Sequence, residues 1–199
     1  MRSNVLVAFA LAVLIGGCGS HNGGGGGGGT GGTGGGAGSG GTGGEGGGGG
    51  QPGLTDGGVP IGPFYVTTGQ YMVAGNSETV MCSTIRLPTT VDVDVTNIEA
   101  TLTTGGHHLI MYKVTDTTES PTPTKCDSVT NITTSIPLII AQNTDSALNL
   151  PTGVAYHFAA AQMVRLEVHY LNATANPMNV EGRVTMTPAV SGQTYQQAD

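Results

Sequence analysis

From Phe64 onward the chain is a succession of short runs rich in Val, Ile, Thr and Tyr, and none carries the 3.6-residue apolar period of a helix. These runs cover residues 64–66, 79–87, 91–95, 98–102, 109–114, 136–141, 153–158, 163–170 and 179–186. Turn-forming residues separate them: Gly69, Gly75-Asn76, Pro88, Gly105-Gly106, Pro121 and Pro123, Pro151, and Asn176-Pro177. Many short strands without helices predict an all-β domain, an antiparallel β-sandwich of jelly-roll type.

Only part of the chain belongs to that domain. Residues 1–17 read as a signal peptide: Arg2 gives a positive start, Val5 to Ile15 an apolar core, and Gly16-Gly17 a small-residue end. The core is too short to span a bilayer, which needs about 20 residues, and nothing after it is apolar enough over that length. Leu14-Ile15-Gly16-Gly17-Cys18 looks like a bacterial lipobox, in which Cys18 becomes the lipidated N-terminus; the alternative is an ordinary cleaved signal with an incidental cysteine. Residues 18–53 hold most of the chain's 36 glycines and too little apolar surface to offset chain entropy. They read as a disordered tether that would hold the domain on the order of 30 Å from its anchor. The folded candidate is 54–199.

Thirteen acidic residues against six basic ones give a net charge of −7, which argues against nucleic acid as a partner. With Cys18 assigned to the anchor, Cys82 and Cys126 remain as an even pair in an exported domain, and a disulfide is expected. The rival reading, thiolate metal ligands, lacks any Cys-x-x-Cys spacing. A bridge would close a loop containing His107 and His108.

Those two histidines, at the mouth of the run Leu109 to Val114, carry the chemistry. A third, His169, stands near the end of Met163 to Tyr170, on the face shared by Met163, Arg165 and Glu167. Three neutral imidazoles converging on one point make a metal site with an open position. The bland alternative is a surface pair plus a strand-end histidine hydrogen-bonded through its ring. In a regular strand His107 and His108 point to opposite faces. Gly105-Gly106 allows the backbone to leave ideal β geometry, so a bulge there would bring both rings to one ion.

The run Glu78-Thr79-Val80-Met81-Cys82-Ser83-Thr84-Ile85-Arg86-Leu87-Pro88 is followed by His107-His108-Leu109-Ile110-Met111 and Cys126. Leu150-Pro151-Thr152-Gly153-Val154 and Leu166-Glu167-Val168-His169-Tyr170 come next. This order resembles the N-terminal catalytic domain of the copper type II, ascorbate-dependent monooxygenases, the family of peptidylglycine α-hydroxylating and dopamine β-monooxygenases. The likeness covers essentially all of 60–190. It implies a jelly-roll-like sandwich, copper held by His107, His108 and His169, and a Cys82–Cys126 bridge matching one of the family's disulfides. The family's other disulfides have no counterpart cysteines here. Its second copper domain, with a His-x-His pair and a methionine, is also missing: about 30 residues follow His169 and no His-x-His occurs. The resemblance thus implies the electron-supplying half of a two-copper enzyme, and leaves hydroxylation by this chain alone open.

Other candidates read more plainly. Along an unbent strand Met111 lies about 13 Å from His107 and Met163 about 20 Å from His169, so both are expected in the core. Met178 remains a candidate soft ligand. His157 is expected to be structural, His21 solvated in the tether, and Glu167 an exposed strand residue in preference to a carboxylate orienting a ligand ring. The expectation is an envelope lipoprotein, joined to a membrane by its lipid, with one copper ion and zinc as the alternative. It would serve copper-dependent redox chemistry with a partner protein or a reductant such as ascorbate. The rival is a non-enzymatic copper-binding protein for capture, sensing or delivery; a third reading is a plain interaction module.

Overall fold

The computed structural model describes residues 46–50, 53, 58–127 and 135–198. The expected signal peptide, Cys18 and His21 lie outside the described residues. Within them the chain forms strands and no helix. In order these are β1 (Gly46–Gly50), β2 (Phe64–Gly69), β3 (Tyr71–Val73), β4 (Ser77–Arg86), β5 (Val93–Leu102), β6 (Gly106–Val114) and β7 (Ser120–Lys125). There follow β8 (Ser135–Ala141), β9 (Asp145–Asn149), β10 (Val154–Phe158), β11 (Met163–Asn172), β12 (Met178–Val180), β13 (Gly182–Pro188) and β14 (Gln196–Gln197).

Two sheets make the sandwich. One runs β1-β2-β13-β5-β10-β14, with β9 also on β5; the other runs β7-β4-β11-β6-β8. Every pairing is antiparallel except the two-residue contact of β10 with β14. The alternation of β11 divides its faces as expected: Val164, Leu166, Val168 and Tyr170 enter the shared core. There they meet Leu109 and Met111 of β6 and, from the opposite sheet, Phe64, Val66, Val95, Ile98, Val184 and Met186. Burial of this size is the main stabilising term. A smaller apolar group, Ile110, Tyr112, Val114 and Met163, includes outward-facing residues of the β6–β11 pair.

Several boundaries differ from the sequence reading. The runs expected at 91–95 and 98–102 are one ten-residue strand, β5: Asn97 pairs with Thr187 of β13 and Asn149 of β9, and Thr96 is the extra residue where the register to β13 shifts. The run expected at 179–186 divides at Glu181: β13 lies in the larger sheet, and β12 pairs with β3 in a separate two-stranded ribbon. The Glu181 carbonyl at that corner accepts from the Tyr170 hydroxyl at 2.6 Å. Pro121 and Pro123, read as turn residues, lie in β7, an edge strand whose ladder to β4 runs through Lys125, Thr124 and Ser120. Edge strands tolerate the missing N–H groups. Gly46–Gly50, inside the segment read as tether, pairs with β2.

Candidate metal centre

His108 and His169 are directly opposed partners on β6 and β11. One step further the register slips, and Tyr170 faces Gly106 instead of His107. His107 is therefore the extra residue of a β-bulge, which breaks the strict alternation that would separate the two rings. Gly105 makes the approach possible with φ +90°, a conformation side-chain-bearing residues rarely adopt, and its carbonyl accepts from Leu171 N at 3.0 Å.

The result is a cluster of three imidazoles. Ring centroids are separated by 5.5 Å (His107–His108) and 5.0 Å (His169 to each). One nitrogen from each ring lies within 4.8 Å of the others, and the Nδ1 atoms of His107 and His108 are 3.3 Å apart. Nitrogens bound at about 2.0–2.1 Å to one tetrahedral ion stand about 3.3–3.4 Å apart, so the pair matches a shared ion and a small ring rotation brings in the third. The three histidines can hold a metal. His107 is exposed and the other two half-buried, which leaves a side open to solvent.

Carboxylates stand behind two of the rings. His169 Nε2 is 2.6 Å from Glu78 Oε1; when Nε2 carries the proton and donates it, the ring's lone pair is on Nδ1. Behind His108 lies Glu167, with Oε1 3.8 Å from Nε2. Glu167 was expected on an exposed strand face; it is fully buried instead. Its neighbours across the ladder are Ile110 and Cys82, and the Tyr112 hydroxyl donates to Oε2 at 3.1 Å. The Arg165 guanidinium lies 4.6 Å from the Tyr112 ring centre. The alternation of β11 placed Glu167 on the histidine face, but a strand pattern gives no sign that an outer face is covered.

Burial lowers the His108 pKa, and the neighbouring His169 ring adds to that, which favours the neutral form a ligand needs. Burial also pushes the Tyr112 hydroxyl up to about 12, with Glu167 contributing.

Cys82 and Cys126 form a disulfide with Cα atoms 5.8 Å apart, tying β4 to the end of β7. Beside it an open cavity of about 360 Å³ is lined by Glu78, Thr79, Val80, Lys125, Cys126 and Asp127. Met111 and Met163 are buried in apolar surroundings. Met178 packs against Gly105, where an added Cβ would lie 3.2 Å from its Sδ. His157 belongs to the other sheet, with Nδ1 3.0 Å from Asp94 and Nε2 3.6 Å from Asp92; its two nitrogens face different carboxylates. Glu78 is the partner that the sequence reading did not single out, and only the β4–β11 register exposes it, through the facing pair Leu171 and Glu78. No family model and no curated protein matches this chain.

Proposed function

We propose that the chain binds one copper ion through His107, His108 and His169 and serves copper-dependent redox chemistry. The observation that carries this reading is the bulge at His107, which turns two adjacent histidines to one side against His169. An all-imidazole set suits copper and zinc alike; affinity order favours Cu²⁺ over Zn²⁺, and the resemblance to the ascorbate-dependent monooxygenases favours copper. In that family the corresponding copper supplies electrons. Here the chain's own residues would hold the ion with neutral rings, orient two of them through Glu78 and Glu167, and leave the His107 side open. The disulfide supports an oxidising compartment, in keeping with a lipoprotein held at a bacterial envelope through Cys18.

A non-enzymatic copper carrier is the second reading. It is favoured by the finding that, among the described residues, the three histidines are the single such ligand group. Metal analysis of the purified full chain beside His107→Ala and His169→Ala variants tests the shared premise: about one copper per chain, lost in the variants, supports it, and equal content in all three defeats it. Oxygen- and ascorbate-dependent product formation would then favour the redox reading, and tight binding without turnover the carrier.

A further inference from the structure

The Nε2 atom of His108 is buried and has no hydrogen-bond partner, which is uncommon for a buried polar atom. The carboxylate oxygen facing it is Glu167 Oε1, 3.8 Å away on a residue with no exposed surface. Oε2 of the same carboxylate accepts the Tyr112 hydroxyl hydrogen. On the other side of the ring, Nδ1 faces Nδ1 of His107. Each ring nitrogen of His108 thus has a distinct neighbour, the Glu167 carboxylate behind and the His107 ring in front.

We infer that Glu167 is a positioning residue that fixes the proton of His108 on Nε2 and thereby presents the Nδ1 lone pair to the metal. The inference rests on the three-histidine metal reading and adds to it the control of one ligand. An ionised carboxylate only accepts hydrogen bonds, so it stabilises the Nε2–H form of a neutral imidazole. The gap of 3.8 Å closes to a hydrogen bond by a small ring rotation, the same kind of motion that draws the nitrogens together around an ion. An amide would act in the opposite sense. With its oxygen accepting from Tyr112, a glutamine at 167 turns its NH₂ towards His108. The ring must then offer a lone pair at Nε2 and carry its proton at Nδ1, where the ion would bind.

The test uses the full chain without metal and then with copper. Nitrogen-15 imidazole shifts, with His108 assigned from a His108→Gln spectrum, read the tautomer directly. Wild type should give the Nε2–H form, and Glu167→Gln should move towards Nδ1–H. Copper affinity, measured by chelator competition, should fall about 10–100-fold in Glu167→Gln. A wild-type His108 protonated at Nδ1 overturns the inference, and this reading needs no variant to fold. So does a folded Glu167→Gln chain with unchanged tautomer and affinity within twofold. A wild-type chain that has the Nε2–H form but retains neither copper nor zinc overturns the metal reading and, with it, the purpose assigned to Glu167.

Discussion

Replacing both Cys82 and Cys126 by serine should cost about 4 kcal/mol. The cysteines are 44 residues apart, and closing a loop of that length in the unfolded chain corresponds to about that much chain entropy. The native strand offers little to offset the loss. Among the described residues β7 is an edge strand paired with β4 alone, and two of its six residues are prolines without an N–H. Cys126 itself adds one backbone bond, from its N to Val80 O at 3.2 Å. For a domain of this size about 4 kcal/mol corresponds to a melting temperature about 8–16 °C lower. Urea unfolding of the oxidised wild type and the double-serine chain, both free of metal, measures the difference. A loss below about 1 kcal/mol would refute the reasoning, because it would mean that β7 is held without the bridge. Loosening β7 also opens the cavity beside Glu78, the partner of His169, so copper affinity should fall in the same variant.

Other outcomes follow from the core and from titrating groups. A Cβ at Gly182 would meet Val168 Cγ2 at 2.8 Å and Leu109 Cδ1 at 3.0 Å, so Gly182→Ala should cost about 1–3 kcal/mol in urea unfolding; a neutral result would show that this corner of the core yields. Gly105→Ala, at φ +90°, should cost about 1–2 kcal/mol and weaken copper binding, measured by chelator competition, because the bulge carries His107. The His108 pKa is lowered in the fold, so below about 6.5 the unfolded chain takes up a proton that the native ring declines. Metal-free stability should therefore fall as pH drops through that range, and His108→Gln should flatten the dependence. Tyr71, Tyr112 and Tyr170 are all raised by burial, so stability is intact below pH 10 and falls as pH climbs above it. Phenolate absorbance from these three should appear together with unfolding; ionisation in the native state would contradict their burial.

The sequence by itself determined the class of fold and most of the strands, because period-two alternation and turn residues are local properties. Val164, Leu166, Val168 and Tyr170 entered the core as their spacing demanded. It also singled out Cys82 and Cys126 as a bridge, since an even pair in a chain read as exported leaves few alternatives. Tertiary structure decided what depends on register. Alternation alone sends His107 and His108 to opposite faces, and only the slip of β6 against β11, some sixty residues away in sequence, turns them to one side. The same register buries Glu167 between Ile110 and Cys82 and brings Glu78 to His169. Proline-bearing β7 and the divided β12 and β13 were hidden for the same reason. Whether a residue lies on an edge or at a corner is set by which strands lie beside it, and that is a property of long-range pairing.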